Sequence, residues 1–132
     1  CDEVLKKLDI TGLKNQSFLT LSGGEKQKVM LSRALIQETE ILILDEPTNH
    51  LDIGAQLNML KTIKGIDKTI LVALHDINFA LTYCDRIYVL DKGRVYDDGL
   101  PNRVITTELI KDLYGANSQI ISHGDRWIVV FE

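Results

Sequence analysis

Two short, unbroken apolar runs constrain this chain most. Ile41-Leu42-Ile43-Leu44 ends in Asp45-Glu46-Pro47, and Ile70-Leu71-Val72-Ala73-Leu74 ends in His75-Asp76. Runs without interleaved polar residues predict strands buried on both faces, as in parallel sheets. Between them Ile53, Leu57, Leu60 and Ile63 recur at helical spacing, predicting a helix over 53–64. Strand, helix, strand is a parallel crossover, expected to be right-handed. Ligands of open parallel sheets bind beyond the carboxyl ends of the strands, so Asp45, Glu46 and His75 fall where chemistry is expected.

Flanking patterns extend an α/β reading. Val29, Met30, Leu31, Ala34 and Leu35 form an apolar stripe over a helix at 22–37 that opens on Ser22. A further helix is predicted at 76–83, then a strand at 87–90. Lys92-Gly93 marks a tight hairpin into Val95 and Tyr96. A short helix from Thr106 or Thr107 to Tyr114 should stop at Gly115. Two strand-like runs at 118–122 and 126–131, joined by His123-Gly124-Asp125, make 116–132 a small C-terminal strand pair within a single domain of 132 residues.

Composition excludes several classes. With 45% hydrophobic and 26% charged residues the chain reads as globular rather than disordered or fibrous. No apolar run approaches the ~20 residues that cross a bilayer. The net charge of −4 and scattered basic residues argue against a nucleic-acid surface. Cys1 and Cys84 have neither metal-ligand nor disulfide spacing, which suits a reduced cytosolic setting. A first residue other than methionine, without a signal-like start, reads as a chain entered partway through.

Leu21-Ser22-Gly23-Gly24-Glu25 is the first chemical motif. A capping box accounts for Ser22 and Glu25: the serine accepts from a free helix amide and the glutamate reaches back to the serine amide. It does not account for Gly23 and Gly24, which weaken a first turn by up to ~1 kcal/mol each relative to alanine. Two bare positions where helix amides and dipole attract anions would let a phosphate reach the backbone.

The second motif is Asp45-Glu46, a carboxylate pair leaving a buried strand. An acidic strand end capping a loop is one explanation. The other is a divalent cation near Asp45, since magnesium needs only one or two carboxylates beside water and phosphate, leaving Glu46 to orient or deprotonate water. His75 can donate to a phosphate oxygen from the neighbouring strand end. His50 and His123 lack such company and read as solvated loop residues.

Together these residues resemble the nucleotide-binding subunit of ATP-binding cassette proteins, over nearly the whole chain. Ser22-Gly23-Gly24-Glu25 with Gln27 resembles the family's signature motif, and Leu42 to Pro47 its Walker B strand. Asn49-His50-Leu51-Asp52 resembles the D-loop and His75 the switch histidine. The resemblance implies the C-terminal half of a P-loop NTPase core: a mostly parallel sheet with flanking helices, then β-hairpins. It also implies ATP and Mg2+ as cofactors. Asp45 would hold the metal through its water shell, Glu46 would activate the hydrolytic water and His75 would contact the terminal phosphate. Ser22, Gly23 and Gly24 would cover ATP bound to a second ATPase subunit in a head-to-tail homodimer, with Glu25 and Gln27 in the same motif and Asp52 coupling the sites.

The phosphate loop G-x-x-x-x-G-K-[ST] does not occur in the sequence. The 132 residues alone are therefore expected to be inactive, and an uncovered sheet edge is expected to invite self-association. Asp45 to Asp52 is similar to translation-associated cassettes that lack a membrane partner. Leu74 to Leu81, Cys84 to Ile87, Asp91 to Arg94 and Gly99 to Gly115 are similar to importers of the iron-siderophore, haem or cobalamin type. The longer resemblance favours an importer ATPase, cytoplasmic and peripheral on the inner face of the membrane, working with transmembrane permease subunits. A soluble translation-associated ATPase or a truncated non-catalytic interaction module are the alternatives.

Overall fold

The computed structural model describes residues 2–124 and 126–132. Cys1 and Asp125, singled out above, lie outside the described residues. Two compact units divide the chain, residues 1–74 and 75–132.

The first unit holds α1 (Asp2–Lys7), two single 3-10 turns (Thr11–Leu13 and Phe18–Thr20), α2 (Gly23–Ile36), β1 (Ile41–Asp45), α3 (Ile53–Lys64) and β2 (Thr69–Ala73). The helix at 53–64 falls where its apolar spacing predicts. β1 and β2 pair in parallel, Ile41 opposite Thr69 and Asp45 opposite Ala73, with α3 as the crossover. Leu42 of the sheet packs with Leu31 and Leu35 of α2 and Met59 and Ile63 of α3, and Leu44 and Ile70 border that core. Asp52 caps α3 at its start, and the Gly65 amide gathers the carbonyls of Lys61, Thr62 and Ile63 at its end.

The expectation that these strands are buried on both faces is corrected. Leu42 is buried, whereas Ile41, Ile43 and Leu71 are 59%, 71% and 54% exposed. Successive strand residues point to opposite faces. In this unit the helices pack on one face of a two-stranded sheet, leaving the alternate residues bare. A continuous apolar run supplies hydrophobes to both faces and does not itself reveal which one is covered.

The second unit runs α4 (Ile77–Tyr83), β3 (Ile87–Asp91), β4 (Arg94–Gly99), α5 (Pro101–Val104), α6 (Thr107–Tyr114), β5 (Ser118–His123) and β6 (Arg126–Phe131). β3 and β4 form the expected antiparallel hairpin. Lys92 and Gly93 at φ +46° and +75° make the two-residue turn, a left-handed pair whose twist matches the strands it joins. The register skips Tyr96, a bulge that sends its hydroxyl to donate to Asp112 Oδ2 on α6 at 3.4 Å. Thr106 caps α6, and Gly115 at φ +64° ends it. Ile110, fully buried, centres a core with Ile87, Val104, Ile105, Leu109 and Val129, bordered by Ile77, Ala80, Leu81 and Cys84 around α4. β5 and β6 pair antiparallel, Ile120 opposite Val129. No helix among the described residues is long and apolar enough to cross a membrane.

Candidate functional site

The start of α2 is a complete capping box. Ser22 Oγ accepts from the Glu25 amide at 3.4 Å, while Glu25 Oε2 accepts from both the Ser22 amide at 2.8 Å and the Ser22 hydroxyl at 2.7 Å. The Ser22 hydroxyl, and after it the Ser22 amide, hold the Glu25 carboxyl below its ordinary value. Gly23 and Gly24 follow as the first helical residues, where amides have no partner within the helix.

Packing does not explain these glycines. A methyl built on Gly23 would stand 3.6 Å from Leu51 Cδ2 and 3.8 Å from the His50 carbonyl; one on Gly24 would stand 3.7 Å from the Ala55 methyl. These are ordinary van der Waals distances, and neither glycine has a positive φ. Alanine would fit and would favour the helix. The same distances show that the glycine turn lies against the segment from His50 to Ala55. A shallow cleft of about 320 Å³ runs beside it, lined by the cap Ser22, by Gly24, Glu25 and Lys28 of α2, by Asn58 of α3 and by Asp9. Gln27 sits half-buried one turn into α2.

Asp45 ends β1 with an exposed carboxylate, paired across the sheet with Ala73. Glu46 turns the chain with φ at +45°, a conformation unusual for a residue bearing a side chain. Asn49 secures that turn. Its amide donates to the Glu46 carbonyl at 3.0 Å, and its Nδ2 donates to Glu46 Oε2 at 2.8 Å. Asn49 Oδ1 accepts from the His50 amide at 3.0 Å, with His50 also left-handed at φ +61°. Asp52 Oδ1 accepts from the Ala55 amide at 2.8 Å, and Gln56 Nε2 reaches back to the Thr48 carbonyl at 3.2 Å, tying the loop to α3.

Asn49 is the partner that the sequence motif contained without assigning. The available signal was Glu46-Pro47-Thr48-Asn49, four residues suited to a turn in which the last can bond to the first.

Among the described residues no group of three or more His, Cys, Asp or Glu side chains is arranged to hold a metal. One exposed carboxylate suits only an ion that keeps most of its waters and takes its remaining ligands from phosphate, which fits magnesium and excludes a tightly caged cation. His75 belongs to the second unit, exposed, directly before Asp76, whose carboxylate accepts from the Asn78 and Phe79 amides and starts α4.

The ABC transporter family profile matches residues 1–49. The hemin import ATP-binding protein of Nocardia farcinica is 42% identical over 118 residues, 87% of this chain and 41% of that protein. The ferric enterobactin transport ATP-binding protein of Escherichia coli is 37% identical over 123 residues, 90% of this chain and 45% of that protein. The chain thus spans less than half the length of these two relatives. A solved structure described as an inward-facing metal-chelate type ABC transporter superposes with a TM-score of 0.85 over 98% of this chain and 54% of that one, at 24% identity, and so shares the fold. Over most of its length the chain is thus similar to ATP-binding proteins of ABC transporters, the family whose profile its residues 1–49 match.

Proposed function

We propose that these residues form the signature-bearing half of an ATP-hydrolysing cassette that drives import of an iron-siderophore, haem or cobalamin-like substrate. The observation that carries this reading is the α2 start: two glycines that packing does not require, directly behind a serine cap, against the loop that carries Asp52. A helix start stripped of side chains suits the terminal phosphate of a nucleotide held by a second copy, in a head-to-tail pair of ATPase subunits. Names of the relatives supply the import reading; on that reading the cassette would work with membrane permease subunits, at the cytoplasmic face.

Within this reading Glu46 accepts the proton of the attacking water, and Asn49, bonded to its carboxylate, keeps it aimed. His75 donates to the terminal phosphate. Ser22 and the amides at Gly23 and Gly24 meet the partner's nucleotide, with Glu25 fixing the serine rotamer, Gln27 flanking the motif and Asp52 coupling the loop to that site. Asp45 would hold Mg2+ through water; when bound, the ion neutralises phosphate charge. Positioning and charge stabilisation carry most of such a phosphoryl transfer.

Hydrolysis measured on the gene product carrying this sequence tests the proposal. Glu46→Gln should cut turnover by about 10²- to 10⁴-fold, the usual worth of a general base. A loss smaller than about tenfold would remove Glu46 from that role. The 132 residues alone, lacking the lysine-bearing phosphate loop, should show no turnover; measurable hydrolysis by them would overturn that part.

A further inference from the structure

Asn78 stands in the first turn of α4, three residues beyond His75, and its side chain grips a strand 51 residues away. Its Nδ2 donates to the Val129 carbonyl at 3.1 Å, and its Oδ1 accepts from the Val129 amide at 2.7 Å. One carboxamide thus satisfies both backbone groups of a single residue, as the next strand of a sheet would. Val129 is itself buried in the second core, and its amide fixes which Asn78 atom is the oxygen.

The other end of the linkage is the turn before α4. Asp76 Oδ1 accepts from the Asn78 amide at 2.7 Å and from the Phe79 amide at 3.2 Å. Residue 76 is thereby tied to the first turn of the helix. α4 has seven residues, too few to hold its own orientation in water. Apolar packing of Ile77, Ala80 and Leu81 on the second core supplies attraction, but such contacts are non-directional and allow sliding. The paired bonds to Val129 do not: a slip along β6 breaks both at once.

We infer that Asn78 is a positioning residue for His75, registering the His75–Asp76 turn against the β5–β6 hairpin through the clasp on Val129. The inference rests on the proposed contact of His75 with the terminal phosphate. It makes the C-terminal hairpin, which bears none of the site motifs, a determinant of hydrolysis.

Two measurements test it. In the 132-residue chain, NMR signals of the His75 backbone and imidazole are followed in Asn78→Ala and Asn78→Asp, with Trp127 fluorescence reporting that the second unit is folded. Alanine should shift or broaden the His75 signals. Aspartate, which keeps the acceptor for the Val129 amide and loses the donor, should fall between alanine and the parent. In the gene product, Asn78→Ala should lower kcat by on the order of tenfold or more, a magnitude typical of misplaced catalytic groups, and leave the KM for ATP within about twofold. His75 signals that stay in place in a folded alanine variant overturn the inference. If alanine does not fold, aspartate decides: unmoved His75 signals overturn it there too. His75→Ala with full ATP hydrolysis would instead sink the phosphate contact, while the NMR result continues to judge the clasp.

Discussion

Ser22 and Glu25 hold each other in both directions: Glu25 Oε2 takes the Ser22 amide and hydroxyl, and the Ser22 oxygen takes the Glu25 amide. Ser22 keeps the Glu25 carboxyl below its ordinary value of 4.5. A carboxyl held low in the folded state adds stability above its unfolded value, and loses it as pH falls through the folded one. The cap should therefore hold at neutral pH and fail only below about 4.5. Helicity and melting temperature of the chain followed from pH 7 to 3 should decline more steeply than in Glu25→Gln; parallel curves would separate the cap from the acid response.

Fold and function should part at Gly24. Gly24→Ala has room for its methyl and should raise stability by up to about 1 kcal/mol through helix propensity. It should lower ATP hydrolysis by the gene product, because the methyl stands where the phosphate would approach. Chemical denaturation paired with an ATPase assay checks both signs. A stabilised variant with undiminished turnover would remove the glycine turn from the site.

The β3–β4 turn is improvable. Lys92 pays for a left-handed backbone that asparagine adopts more readily. Lys92→Asn should raise the melting temperature, with a gain of about 0.5 kcal/mol or more. Gly93→Ala, at φ +75°, should cost about 1 kcal/mol or more. Thermal unfolding of both variants should give shifts of opposite sign.

Ile110 is the most completely buried residue of the second core. Ile110→Ala should cost about 2–5 kcal/mol. Trp127, the chain's single tryptophan, lies on β6 in this unit and reports the loss directly by fluorescence.

The bare face of the β1–β2 sheet should make the 132-residue chain associate with itself. Ile43→Lys, at a position 71% exposed, should change stability by no more than about 0.5 kcal/mol and should lower the sedimentation-average mass at high concentration. An unchanged mass distribution would show that this face is not the contact.

Periodicity made α3 legible to its residue bounds, the Ser22 cap placed the start of α2, and helices expected from 76 and from Thr106 or Thr107 match α4 and α6, whose caps are Asp76 and Thr106. Those signals are local, involving bonds to the next few amides. What escaped is non-local. The one-sided burial of β1 depends on which elements reach its faces, and the Asn78 grip on Val129 spans 51 residues with no pattern in either segment. α5 escaped for another reason: four residues opened by Pro101 carry no apolar period to read. Within the site, Gly23, Gly24 and Glu46 were conspicuous as residue types that folding alone disfavours. Asn49 was inconspicuous because asparagine belongs in a turn on any account.

Glu46, left-handed at φ +45°, holds a conformation that disfavours ordinary L residues by about 1–2 kcal/mol relative to glycine. A library selected only for thermal endurance should drift at this codon toward glycine or asparagine. A library selected for turnover should keep glutamate there despite the strain. Sequencing the two populations side by side would show at one position what the chain has been shaped to do.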